Sequence, residues 1–131
     1  LSLSHTHTHT HNTHTQTTSD GHRIVMITEP GIIGKIGLNS AGVGVALNLI
    51  AHNPIAKQWG GAGRNRFEGC VPIHILLRIA LDSKSASQGV KRIKTQKRSL
   101  ASMSCISLAD RKSRHTMLEL LGDTVEAVGA G

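Results

Sequence analysis

Aromatic side chains are nearly absent: Trp59 and Phe67 stand alone, there is no tyrosine, and rings make up 2% of the residues. Single-stranded nucleic acids are gripped by rows of rings on which bases stack, so specific nucleic-acid binding is not the expected function. Acidic residues are scarce as well, 8 against 15 Lys and Arg, and the resulting charge of +7 keeps an anionic partner in view. Cysteine is limited to Cys70 and Cys105, which lack the close Cys or His pairing a zinc site needs, so a reduced, intracellular protein is expected. No apolar run approaches the roughly 18 residues of a membrane span, and no basic head with an apolar core opens the chain, so no membrane partner is expected.

A chain of 131 residues has the length of one domain. It opens on Leu1 rather than Met, and we read it as an internal piece of a larger enzyme domain that completes no catalytic cycle by itself. Residues 1–20 are of a different character from the rest. Leu-Ser alternation followed by His-Thr alternation from His5 to His11 is what simple dinucleotide repeats in DNA encode. Alternating histidines on an extended chain could capture zinc or nickel, but nothing in the tract constrains a second shell. With almost no apolar residue to bury, 1–20 is expected to be a disordered low-complexity tract. Removing residues 1–19 should then change stability by less than about 0.5 kcal/mol.

Residues 21–131 form the second region, read as an incomplete domain. Arg23 to Thr28 is a β-branched run closed by Pro30-Gly31, and Ile32 to Leu38 alternates as a second strand. Asn39-Ser40-Ala41-Gly42 has tight-turn chemistry, and Val43 to Asn48 alternates again, placing Gly44, Ala46 and Asn48 on one face. Ala51 to Gly69, rich in Gly, Asn and Arg, reads as a long irregular loop. Pro72 suits the start of a helix whose one polar stripe is His74, Arg78 and Asp82, so the helix should be nearly all buried. Ser85 to Gln88 spells a capping box for a second helix reaching about Gln96. Its Lys91, Arg92 and Lys94, with Lys84, Lys97 and Arg98 beside it, read as a solvated face. Met103 to Ala109 and Thr116 to Val128 supply further strands, with turns at 111–114 and 122–123. Strands, then helices, then strands indicate an α+β fold with an antiparallel or mixed sheet and helices on one face.

Several motifs fail. Gly31 to Lys35 imitates a phosphate loop, but Glu29 stands where its first glycine belongs and Ile36 replaces the Ser or Thr. Gly42-Val43-Gly44 lacks the third glycine of a dinucleotide fingerprint, because Leu47 occupies that place. No Ser, His and Asp grouping suggests a triad.

The stretch from Ile27 to Val43, ITEPGIIGKIGLNSAGV, resembles the ITEAGIIGKxGxNSAGV segment of the acyl-coenzyme A:6-aminopenicillanic-acid acyltransferases, or isopenicillin-N acyltransferases, and departs from it chiefly at Pro30. Val71 to Ser83 is similar to that family's VPxHxxLRxxLES helix, and Leu108-Ala109-Asp110 and Leu118-Glu119-Leu120 look like its AD and LEL strands. The resemblance implies an N-terminal-nucleophile hydrolase fold, an αββα sandwich of which this chain supplies central strands and one helical layer. It also implies an acyltransferase or amidohydrolase that needs no cofactor and no metal. Its substrate is a small amide or acyl thioester, with acyl-coenzyme A as co-substrate, and its address is intracellular, cytoplasmic or peroxisomal. In that family the precursor cleaves itself before a cysteine, whose own α-amino group, of pKa about 8, serves as base.

The family cysteine stands in a Gly-Cys-Thr motif upstream of the first block, where this chain carries the His-Thr tract, and a family HTNH motif falls beyond Gly131. Gly69-Cys70 imitates the former, but Val71 follows in place of Thr and a helix begins there, so Cys70 reads as a loop cysteine. Cys105, inside an apolar run, reads as a packed side chain, and His74 as a structural hydrogen-bonding partner. The loop from Ala51 to Gly69 is longer than the family's connection. Asn48, on the small-residue face of its strand, remains the one catalytic candidate, as an oxyanion donor, and its structural alternative is a polar residue that closes the strand by bonding the backbone of the next loop. Another class of reading stays open beside this one: a small basic module using Ser85 to Arg98 on an anionic or nucleic-acid surface, or a gene-model product with no function.

Overall fold

The structure, a computed structural model, describes residues 12–50, 69–96, 98, 100, 103–121 and 124–129. Within them the chain forms β1 (Asn12–Thr17), β2 (Arg23–Thr28), β3 (Ile36–Asn39), β4 (Val43–Leu49), α1 (Ile73–Leu81), α2 (Ala86–Lys94), β5 (Met103–Asp110), β6 (His115–Leu121) and β7 (Thr124–Val128). The seven strands make one sheet in chain order, β1 to β7, and every neighbouring pair is antiparallel. This is an α+β fold. A single parallel bridge, Val71 to Leu100, lies outside the named strands.

Alternation sorts the strand residues onto two unlike faces. Ile24, Met26, Val43, Val45, Ile106, Leu108, Leu118 and Leu120 project from one face and are buried in a single cluster with Leu76, Leu77, Ala80 and Leu81 of α1 and Ile93 of α2. Both helices therefore cover the same side. Each fully buried Leu or Ile contributes about 1.5–3 kcal/mol of transfer free energy, which makes this layer the main source of stability. The other face is uncovered among the described residues, leaving Leu38 59% and Ile27 48% exposed.

The helices begin and end where local chemistry directs. Pro72, extended at ψ 143°, precedes α1 as its N-cap and ends the strand-like entry. The Ser85 hydroxyl accepts from the Gln88 N–H at 3.2 Å, while the Gln88 side chain accepts from the Lys84 N–H at 2.6 Å, so the capping box closes one residue earlier than its usual form. Lys91, Arg92 and Lys94 lie in the last turn of α2, where the helix dipole favours cations.

Three expectations need correction. Asn12 to Thr17 does not lie in a disordered tract: it forms β1, paired along its whole length with β2. Threonine is β-branched and suits an extended backbone, and the turn from Thr18 to Gly21 brings β1 back over only a few residues, so its pairing costs little loop entropy. Residues 1–11 lie outside the described residues, as does most of the proposed loop at 51–69. The strand expected from Ile32 begins only at Ile36, because Gly34 is drawn under α1. A Cβ on Gly34 would stand 2.5 Å from the His74 carbonyl oxygen and 2.6 Å from the Arg78 nitrogen, an approach that only glycine permits. Finally, α1 is less enclosed than its composition suggested, since Ile75 faces outward at 37% exposure.

Candidate functional site

The blocks that carry the resemblance meet at the joints between sheet and helices. Asn39, 3% exposed, closes the β3–β4 turn: its amide oxygen accepts from the Val43 N–H at 2.9 Å, and its amide nitrogen donates to the Leu81 and Ser83 carbonyls at 2.7 and 2.8 Å. One side chain thus ties a hairpin to the end of α1. Gly42, at φ +85°, gives the turn a left-handed residue. The Leu81 carbonyl also bonds His22 Nε2 at 3.0 Å, and Arg92 reaches back from α2 to the Asp82 carbonyl at 3.2 Å. Such donors satisfy carbonyls that a helix C-terminus leaves unpaired.

Asp110 does the same work at the start of α2. Its Oδ2 accepts from the Ala86 N–H at 2.9 Å and from Arg114 Nη2 at 2.8 Å, and its Oδ1 accepts from the Lys112 N–H at 2.9 Å. The Ala86 N–H and then Arg114 hold its carboxyl down at about 2, against an ordinary 3.8, so it is ionised throughout the neutral range.

His74 Nδ1 is 3.0 Å from the Gly34 carbonyl, which agrees with a structural role rather than that of a general base. Arg78 binds Asp82 through Nε at 3.0 Å and donates to the Gln16 side chain at 2.6 Å. Its guanidinium is therefore engaged, and the groove of about 650 Å³ between β1 and α1, lined in part by His14, Ile33 and Arg78, presents no unpaired cation at that position. Glu29 and Lys35 form an ion pair, so Lys35 of the imitation phosphate loop is occupied within its own loop.

Asn48 lies near the end of β4, exposed, opposite Cys105 of β5 and on the uncovered face with Gly44 and Ala46. Alternation at the sequence level placed those three residues on one face, and the pairing register agrees. The same register adds residues the sequence reading passed over. Ser107 lies opposite Ala46, and His115 opposite Ala109, around a shallow depression of about 320 Å³ that also includes Leu38 and Gly44. Strand period alone could have found Ser107, two residues from Cys105, but not its neighbours across the sheet.

The two cysteines lie in different surroundings. Cys105 is buried, and burial, followed by the nearby charge of Glu119, pushes its thiol pKa up, against thiolate formation. Cys70 is part-buried just before α1 and is not at a strand start. No group of three or more His, Cys, Asp or Glu that could hold a metal exists among the described residues. Of the basic residues on and beside α2, Lys84, Lys91, Lys94 and Arg98 are exposed, whereas Arg92 turns inward to helix carbonyls. Lys97 lies outside the described residues. No helix among the described residues is long and apolar enough to cross a membrane.

Comparison with known proteins finds a partial similarity. The chain is 42% identical over 73 residues to the acyl-coenzyme A:6-aminopenicillanic-acid-acyltransferase 40 kDa form of Emericella nidulans. That similarity covers 56% of this chain and 17% of the relative. The chain thus matches a minor part of the relative's length, and the relation is a partial similarity to an acyltransferase. No family model matches the chain.

Proposed function

We propose that this chain is the central sheet and helical layer of an N-terminal-nucleophile acyltransferase or amidohydrolase, acting on amide bonds or acyl-coenzyme A thioesters through a cysteine that neither Cys70 nor Cys105 supplies. The observation that carries this reading is the 42% identity to an acyltransferase over 73 residues, and the sequence blocks that resemble that family lie at the joints of one helix-covered sheet. The uncovered apolar face supports it, because in an αββα sandwich a second sheet stacks there at about 10 Å.

In such an enzyme the cysteine thiolate attacks the acyl carbonyl, and its α-amino group takes the thiol proton and passes it to the departing amine or coenzyme A thiol. An acceptor amine or water then cleaves the acyl-enzyme. Asn48, on the open face beside small residues, is the group of this chain we assign to the oxyanion, where an amide N–H can meet the developing charge.

The test is a graft. The 131-residue chain incubated with an acyl-coenzyme A and 6-aminopenicillanic acid should release no free thiol above background. Placed in the Emericella nidulans relative in exchange for the matching segment, it should support thiol release and an acyl adduct visible by mass spectrometry. A folded chimera that forms no adduct, or turnover by the isolated chain, would sink the reading.

A further inference from the structure

The two edges of the sheet are not alike. β7 carries the exposed carboxylate Glu126, a charge that discourages pairing with a like strand. β1, Asn-Thr-His-Thr-Gln-Thr, has no Lys, Glu, Asp or Pro and runs in unbroken register against β2, so among the described residues it carries none of the charges, prolines or bulges that normally blunt an edge.

The direction of its free backbone groups follows from the turn. The Thr18 N–H donates to the His22 carbonyl at 2.8 Å, which makes that pair a hydrogen-bonded one. Orientation repeats every second residue, so Gln16, His14 and Asn12 also turn their N–H and C=O toward β2, and Thr17, Thr15 and Thr13 turn theirs away. On β2 the Arg23 carbonyl accepts from the Ser40 N–H at 2.8 Å, which aims Arg23, Val25 and Ile27 at β3 and leaves their neighbours for β1, in agreement. The outward row is therefore made of three threonines with no backbone partner among the described residues.

That row is self-complementary. An antiparallel two-fold centred on Thr15 sets Thr15 opposite itself and Thr13 opposite Thr17. Every outward N–H and C=O of the three residues is then paired, and the threonine side chains form a ladder on one face. On the other face His14 stands opposite Gln16, a polar pairing able to hydrogen-bond. Moving the register by two residues would oppose His14 to His14 and leave Thr17 without a partner among the described residues. We propose that β1 is a homodimerisation edge: two copies of the chain join antiparallel through Thr13, Thr15 and Thr17 into one continuous sheet.

The test uses the whole chain, with hydrogen exchange and sedimentation read together over a concentration series. At high concentration the species should have twice the 13.9 kDa mass, and the amides of Thr13, Thr15 and Thr17 should be protected. Protection and mass should fall together on dilution. Thr15→Pro removes a donor that points away from β2, so it should keep the fold and weaken association by about tenfold or more. Thr15→Lys brings two ammonium groups together at the two-fold and should weaken association most at low salt. Leu38→Lys, on the uncovered face, should leave the dimer intact. A monomer at all concentrations overturns the proposal, whether those amides exchange fast or are protected. So does a dimer with fast exchange at the three amides, or one lost on Leu38→Lys but kept in Thr15→Pro.

Discussion

Asn39 and Asp110 hold the two helices to the sheet, and each does so with hydrogen bonds to backbone rather than by packing. Asn39→Ala would leave the Val43 N–H and the Ser83 carbonyl short of a partner in a buried place, while the Leu81 carbonyl keeps His22, at a cost of about 2–4 kcal/mol. A chemical denaturation midpoint that moves by less than a quarter of that would show the turn held elsewhere. Asp110 predicts an acid response. Its folded carboxyl titrates at about 2, below the ordinary 3.8, so the fold favours the ionised form. Its contribution is complete above the unfolded value and is lost as pH falls from 3.8 toward 2. In Asp110→Asn the melting temperature should therefore lie below wild type at pH 6, and the gap should narrow as pH falls through that window. Asn48 is the opposite kind of residue, exposed and away from any joint. In the grafted enzyme Asn48→Ala should lower kcat by roughly 10²- to 10³-fold with little change in melting temperature if it serves the oxyanion. Lower stability with normal kcat would assign it to structure.

Between the residue and the fold stand the contacts of whole elements. The β2–β3 loop meets α1 through Gly34, where an added methyl would collide with helix backbone that cannot rotate away. Gly34→Ala should destabilise by about 1–3 kcal/mol, the usual cost of overpacking, and should loosen α1 first. Amide exchange that speeds up in α1 before β5 and β6 is the expected pattern. β1 is the element on which pattern reading went furthest astray. Deletion of residues 1–17 should lower stability by about 1–3 kcal/mol, since it strips a paired strand and the Gln16 acceptor of Arg78. An unchanged denaturation midpoint would restore the view that the tract adds nothing to the fold.

For the whole molecule the dominant feature is asymmetry between the two faces of one sheet. The helix side is closed by a buried apolar cluster, while Ile27, Leu38, Leu121 and Val128 on the other side are each at least 36% exposed. Among the described residues nothing covers these apolar side chains. The isolated chain should therefore bind a hydrophobic dye strongly, and the double variant Ile27→Thr, Leu38→Lys should cut dye fluorescence severalfold while the melting temperature holds. Equal dye binding in the variant would place the exposed apolar surface elsewhere.

Much of this was legible in order along the chain. Alternation in 43–48 and 103–109 gave the strands and their faces, the Ser85 to Gln88 spacing gave the start of α2, and Asn39 to Gly42 gave the turn. These signals are local, because side-chain period, capping and turn chemistry act within a few residues. The rest depended on partners distant in sequence. A row of Thr, His and Gln has no hydrophobic period, so only the open edge of β2 could decide that Asn12 to Thr17 becomes a strand. Gly34 looks like any strand residue until α1 lies against it. Asn39 reads as turn chemistry, yet its amide also binds carbonyls of Leu81 and Ser83 across the fold. Outside Asn12 to Thr17 and the stretch from Ile32 to Lys35, the sequence by itself determined which described segments extend, coil and turn. Only the tertiary structure decided which edges pair, which glycine must stay bare and which face is left uncovered, because those outcomes are set by contacts between residues that the chain brings together only on folding.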